Sequence, residues 1–335
     1  MKILILGGTS FFGKEFALTA FRGGHNITIF SNKCPIDKIP LDIKQVRGDR
    51  NIYVDLARMS VETWDVILDN ICYTPQDAEN AVKAFSKRCG LYVFTSSEAV
   101  YSVLERASSP YREKSTSFFS ENAGLRGLSG YEYAFGKLDS EKVFLKAFAE
   151  KKFPAVIIRF PIIIGPHDPT LRAFSYWIRL ADERPLISPG AFFKRRYIYS
   201  KDAAASLDVL ISSPGVAGEI FNFADDVEIT LYDFLKLSAN IMGKKVEILS
   251  PDFSWLQENG FDFESSPFSY YSDFVIDIRK AREKLNWKSS DINDWLKETI
   301  NWFFFKYMGP APKNYRRRKE EIALMDKIKS HQKMQ

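Results

Sequence analysis

Residues 1–13 read MKILILGGTSFFG, and this stretch decides the fold. Ile3-Leu4-Ile5-Leu6 is an apolar run of strand length, Gly7-Gly8 turns the chain, and a helical apolar spacing runs from about Phe11 to Arg22. Strand, glycine turn and helix in that order build a phosphate-binding unit. The helix start offers unpaired backbone N–H groups and the positive end of its dipole to a pyrophosphate. With Gly7 and Gly13 as the outer glycines, Ser10 takes the middle position. Its hydroxyl can donate to phosphate, but it limits backbone approach more than glycine does. The plainer alternative is an ordinary βα unit whose glycines only turn the chain.

Downstream the alternation repeats. Residues 27–30, 43–46, 64–69, 91–95 and 155–159 read as strands, and 76–87 and 131–151 as helices. Strands alternating with helices predict an α/β fold, a Rossmann-type doubly wound parallel sheet with its ligand beyond the carboxyl ends of the strands. After residue 165 the pattern loosens. Helical spacing recurs over 171–182, 201–212, 231–242, 278–285 and 292–307, while the aromatic-rich 252–272 has no clear period. The expected division is 1–165 for a dinucleotide-binding domain, with 196–224 and about 272–280 returning to it. A smaller, interleaved C-terminal substrate lobe takes 166–195 and 225–306, and 307–335 is a basic tail.

The chain has 335 residues, 45% of them hydrophobic and 27% charged, which suits a globular protein with a sizeable core. Its net charge is +5. Eight Lys or Arg and three Asp or Glu follow Pro312, so the tail carries the whole excess and the body is neutral. A neutral body argues against nucleic acid as the main partner. The tail, with Arg316-Arg317-Arg318-Lys319, reads as a contact for an acidic partner or as a solvated terminus. No apolar run reaches the ~18–20 residues of a membrane helix, and residues 1–6 read as a strand rather than a signal peptide. Cys34, Cys72 and Cys89 lack metal spacing and fit a reducing cytoplasm. Three histidines, His25, His167 and His331, give poor support for a metal site or a Ser–His–Asp triad.

Three features fall at strand ends where a cleft is expected: Ser96-Ser97, the pair Tyr133/Lys137 on the 131–151 helix, and Arg159-Phe160-Pro161. Four residues apart on a helix, Tyr133 and Lys137 leave the same face. An ammonium beside a phenol favours the phenolate, which can exchange a proton with an alcohol or carbonyl near neutral pH. The Ser97 hydroxyl can polarise the same oxygen. Tyr197/Lys201, Tyr232/Lys236 and Tyr315/Lys319 share the spacing, but only Tyr133 lies on a long helix downstream of a serine at a strand end.

With these residues in place, the chain resembles the extended or atypical short-chain dehydrogenase/reductases, the NAD-dependent epimerase/dehydratase family. The matching segments are LGGTSFFG (6–13), WDVILDN (64–70), YVFTSSEAVY (92–101), YEYAFGK (131–137), VIIRFPIIIGP (156–166), RRYIYSKDAAAS (195–206), FNFADD (221–226) and 278–303. The resemblance implies an NAD(P)-dependent oxidoreductase or epimerase acting at a carbinol or carbonyl carbon of a sugar nucleotide or other small metabolite. In it Tyr133 is the acid/base, Lys137 binds the nicotinamide ribose and tunes Tyr133, and Ser97 polarises the substrate oxygen. Gly7, Gly8, Ser10, Phe11, Phe12 and Gly13 surround the pyrophosphate, Asp49 reaches the adenine, Asp69 and Asn70 line the cofactor, and Pro161 approaches the nicotinamide amide.

Strand two ends Phe30-Ser31-Asn32-Lys33, with no carboxylate for a ribose 2′-OH. Ser31, Asn32 and Lys33 tolerate a 2′-phosphate better, so NADP is expected over NAD. Against the T-D-E-V-Y segment of the family's sugar-nucleotide dehydratases, Ser97 falls on the threonine, Glu98 on the aspartate and Ala99 on the glutamate. Glu98 is thus a candidate acid in a dehydratase-like alternative, while Ala99 cannot supply the partner base. Arg196, beside Lys194 and Arg195, suits an anionic substrate, with a rim salt bridge as the alternative. Tyr176 and Trp177 read as pocket wall or as core. A homodimer is compatible with this reading, and a non-catalytic dinucleotide- or RNA-binding member of the superfamily is the remaining alternative.

Overall fold

The apolar run at the N-terminus becomes β1 (Lys2–Leu6), buried from Ile3 to Leu6 because a neighbouring strand lies on each side. One is β2 (Asn26–Ser31), in register Lys2↔Asn26 to Leu6↔Phe30. The computed structural model describes residues 1–332. The sheet continues through β3 (Lys44–Arg47), β4 (Trp64–Asp69), β5 (Cys89–Ser97), β6 (Ala155–Phe160) and a seventh strand, Ile220–Asn222. Its spatial order is β3-β2-β1-β4-β5-β6 and then Ile220–Asn222, paired in parallel throughout. This is the doubly wound α/β sheet that the alternation implied. The order reverses between β1 and β4, where Leu6 pairs with Asp69, and in a doubly wound sheet the ligand is expected beyond the strand ends at such a switch point.

Between the strands run α1 (Phe11–Arg22), α2 (Tyr53–Arg58), α3 (Pro75–Phe85), the short α4 (Ser115–Phe118) and α5 (Glu132–Lys151). α1 buries Gly13, Phe16, Ala17 and Ala20, which is i, i+3, i+4, i+7 spacing. That stripe packs on one sheet face with Ile3, Ile5, Ile27 and Ile29. The opposite face carries Leu4, Leu6, Ile67, Tyr92 and Phe94 under α3 and α5. Thr74 accepts from Asp77 N while the Asp77 carboxylate accepts from Thr74 N, and Pro75 opens the helix.

The chain divides into two compact units. The first takes Met1–Ile163, Ile198–Ala224 and Ile276–Ser289; the second takes Ile164–Tyr197, Asp225–Val275 and Ser290 onward. In the second unit Leu186–Ile187 pairs in parallel with Ile248–Leu249. The stretch 252–272 forms a helix over Phe253–Glu258 and a 3-10 turn over Phe263–Ser265.

The basic tail departs from the sequence expectation. After a 3-10 turn over Lys313–Tyr315 it forms a helix, Arg318–Gln332, and residues 333–335 lie outside the described residues. Leu324, Met325 and Ile328 pack against Ile187, Leu249, Leu256 and Phe261. Buried Arg318 donates to Asp182, and buried Glu321 pairs with Arg179 and Arg318 and accepts from Ile187 N. Apolar docking and neutralised arginines make this segment a part of the second unit, in place of a solvated arm. Among the described residues no helix is long and apolar enough to cross a membrane.

Candidate active site

The glycine turn follows β1 at the switch point. Gly7 has φ +87°, a region that suits glycine, and Phe11 adopts φ +51°, a local strain at the helix start. Ser10 is the exposed N-cap of α1, and its hydroxyl makes no capping bond. The first-turn N–H groups of α1 are therefore left uncapped by a side chain. Phe12 packs edge-on against Phe160 at 5.8 Å, so the start of α1 meets the end of β6, which leads into buried Pro161.

Beneath the turn lies Asn70. Its Oδ1 accepts from Thr95 Oγ1 at 2.7 Å, while Nδ2 is buried with no hydrogen-bond partner among the described residues. A Cβ at Gly13 would come within 2.8 Å of that Nδ2. A side-chain-free cradle, an uncapped helix start and an unsatisfied buried donor together fit a pyrophosphate.

Lys137 is 2% exposed. Its Nζ donates to Cys72 O and Thr95 O, both at 2.7 Å. Burial lowers the ammonium's pKa to about 8. Nζ lies 5.9 Å from the centroid of the Tyr133 ring, and Tyr133 is 47% exposed. Ser97 ends β5, two residues beyond Thr95; it is half-buried and its Oγ accepts from Ala99 N at 3.2 Å. Glu98 follows, buried at the start of a 3-10 turn over Glu98–Val103. Burial, then the charge of Glu98, raises the pKa of the Tyr111 phenol.

At the end of β2, Ser31 is buried and its Oγ accepts from Lys33 N, while Asn32 and Lys33 are exposed. Arg47, which the sequence reading missed, is the exposed β3 partner of Ser31. Only the β2–β3 register brings it there. Asp49 caps its own turn, accepting from Asn51 N at 2.9 Å.

Several expected site residues lie elsewhere. The Asp69 carboxylate has no exposed surface and accepts from Arg50 Nε and Nη2, Tyr92 OH and Ile71 N. It braces the end of β4 from inside the sheet–helix layer, which corrects its expected place along the cofactor. Ser96 donates to Glu141 at 2.5 Å and faces away from Ser97, as alternation along a strand requires. Tyr176 is wholly buried in the second unit, its hydroxyl bonded to Ser266 and accepting from Phe268 N, so it is core and not pocket wall. Arg196 donates to Asp225 O, Asp226 O and Glu228, and its fork holds the 225–228 loop where an anionic substrate was expected. Among the described residues no group of three or more His, Cys, Asp or Glu is placed to hold a metal ion.

A Rossmann-type sheet, a glycine cradle at its switch point and a Tyr–Lys pair on the following long helix define the class. The family model of the NAD dependent epimerase/dehydratase family matches residues 3–224, and the chain belongs to that family. Among curated proteins it is similar to the chloroplast stem-loop binding protein of 41 kDa b from Arabidopsis thaliana, 26% identical over 324 residues, 90% of this chain and 79% of that one. Among solved structures it resembles UDP-glucose 4-epimerase with UDP-glucose from Thermotoga maritima, with TM-score 0.72 and 16% identity over 91% of this chain and 99% of that one. It also resembles dTDP-glucose 4,6-dehydratase with NAD from Bacillus anthracis, with TM-score 0.71 and 18% identity over 91% and 97% of the chains.

Proposed function

We propose that the chain is a nicotinamide-dinucleotide-dependent oxidoreductase or epimerase acting at a carbinol or carbonyl carbon of a small metabolite. Nucleotide sugars, named for the two enzyme neighbours, are the substrate class to try first. The observation that carries this reading is the buried Lys137 ammonium one helical turn from the half-exposed Tyr133 phenol.

Gly7, Gly8, Ser10, Phe11, Phe12 and Gly13 hold the pyrophosphate, with Asn70 below and Asp49 toward the adenine. Lys137 holds a ribose hydroxyl, and Pro161 approaches the nicotinamide amide. When bound, the dinucleotide supplies hydride exchange at the substrate carbon. Tyr133 gives or takes the proton at the substrate oxygen. Ser97 donates a hydrogen bond to that oxygen. Glu98, buried beside Ser97, is the proton donor toward a leaving hydroxyl in the dehydratase variant of this reading. NADP is favoured over NAD by the exposed Asn32, Lys33 and Arg47 around Ser31. The three cysteines are free, which suits a reducing compartment such as the cytoplasm.

The test is Tyr133→Phe, assayed on a panel of nucleotide sugars with NADPH and NADH binding followed by fluorescence. Retained dinucleotide affinity with lost turnover supports the assignment; wild-type turnover overturns it. Tighter NADH than NADPH binding overturns the cofactor preference.

RNA binding is a second reading, favoured by the name of the Arabidopsis thaliana relative. Arg316 and Lys319 are two of the exposed tail cations, beside Lys313, Arg317 and Lys327, while Arg318 is buried. Charge reversal at both positions that abolishes a salt-dependent affinity for a stem-loop RNA supports this reading. Absence of any such affinity in the unaltered protein overturns it.

A further inference from the structure

Tyr73 has no place in the mechanism above, yet it stands beside it. It lies in the segment after β4 and is 47% exposed, as is Tyr133. The two ring centroids are 6.3 Å apart. Lys137 Nζ lies 4.7 Å from the Tyr73 centroid, 5.0 Å from that of Phe94 and 5.9 Å from that of Tyr133. The ammonium is nearer to Tyr73 than to its expected partner.

The Tyr73 backbone is pinned. Its N–H donates to Asp77 Oδ2 at 3.1 Å, within the cap of α3. Its carbonyl lies so close to α5 that a Cβ at Gly136 would collide with it. The ring is thereby held against the Lys137 side chain by two helices.

A buried ammonium needs compensation to stay charged. The groups around it are Cys72 and Tyr73 after β4, Asp69 at the end of β4, Arg50, Tyr133, and Glu141 farther along α5. Arg50 disfavours the charge; Cys72, Asp69 and Glu141 favour it. Cys72 offers little near neutrality, because burial pushes its own thiol up to about 12 and keeps it un-ionised. Asp69 and Glu141 are bonded to arginines of their own. Two carbonyl oxygens and three aromatic faces remain as direct partners.

We propose that Tyr73 is a positioning residue for Lys137: with Phe94 and Tyr133 its ring forms an aromatic cage that keeps the ammonium charged and fixed beneath Tyr133. This deepens, and rests on, the reading of Tyr133 and Lys137 given above. The ring face acts, not the hydroxyl. Burial and the nearby Asp69 hold the Tyr73 phenol above its ordinary range, so it stays protonated and takes no part as a base.

The experiment is a carbon-13 NMR titration of the full chain labelled at the lysine ε-carbons, the Lys137 signal being identified by its loss in Lys137→Met. Wild type is expected to titrate near 8, Tyr73→Phe to match it, and Tyr73→Leu and Tyr73→Gln to titrate lower by about half a unit or more. An unchanged midpoint in the non-aromatic variants overturns the proposal, and so does an equal fall in Tyr73→Phe. The midpoint is blind to whether Tyr133 moves a proton, so failure of the cage and failure of the catalytic reading, tested by Tyr133→Phe turnover, are told apart.

Discussion

Arg159 grips Glu141 with both sides of its guanidinium, Nε to Oε1 at 2.9 Å and Nη2 to Oε2, and both side chains are essentially without exposed surface. The pair ties β6 to α5, the helix that carries Tyr133 and Lys137. Arg159 also donates to Tyr101 OH, Thr116 Oγ1 and Glu113 O, so its charge is fully enclosed by acceptors.

Removing one partner leaves the other charge buried and uncompensated. Arg159→Met or Glu141→Leu should each cost about 3–5 kcal/mol in urea unfolding. The double variant should cost less than the sum of the two, because no lone charge remains. Additive losses would mean that the pair is not a coupled unit.

Lys137 makes stability depend on pH. Its folded pKa, about 8, lies below the roughly 10.4 of an unfolded lysine. Below pH 8 both states are protonated and the cost of burying the charge is fully present. Between 8 and about 10.4 the unfolded chain holds more protons, so the residue's contribution to stability rises with pH. Urea midpoints of wild type should therefore improve relative to Lys137→Met from pH 8 to 10. If Lys137 holds the ribose as proposed, binding of NADPH should move oppositely, weakening above pH 8 as that charge is lost.

The cradle under α1 tolerates no extra carbon. A Cβ at Gly13 meets Asn70 Nδ2 at 2.8 Å and Gly7 O at 3.3 Å. Gly13→Ala should lower stability by about 1–3 kcal/mol and weaken NADPH and NADH fluorescence titrations together. A variant that binds both dinucleotides as wild type does would place the pyrophosphate elsewhere.

The thiols should be inert in the native protein. Cys34 and Cys72 are buried, and burial pushes Cys72 and Cys89 up to about 12 and raises Cys34. Little thiolate exists near pH 8. A chromogenic disulfide reagent should react with none of the three at that pH until denaturant is added; fast reaction of one thiol in the native chain would contradict these environments.

Much of the architecture was legible in advance because it is local. The strand Trp64–Asp69 and the helix ending at Lys151 follow from apolar period and length, and the glycine turn follows from three glycines in thirteen residues. Arg47 and Tyr73 escaped notice since no spacing marks them. Strand register brings Arg47 opposite Ser31, and the close packing of α5 on the segment after β4 brings Tyr73 to Lys137.

The sequence alone determined the layout: a βα unit with a glycine turn, repeated strands and helices, and a Tyr–Lys pair on one face of a long helix. These are properties of neighbours along the chain, set by backbone geometry. The tertiary structure decided which polar groups face inward. Asp69 turned to Arg50 and Tyr92, Tyr176 to Ser266, Arg196 to the 225–228 loop, and the basic tail became a helix joined to Arg179 through Glu321. Each of those groups found a partner at least 19 residues away, and a buried polar group is held where its hydrogen bonds and charges are met, which chain-local periodicity does not encode.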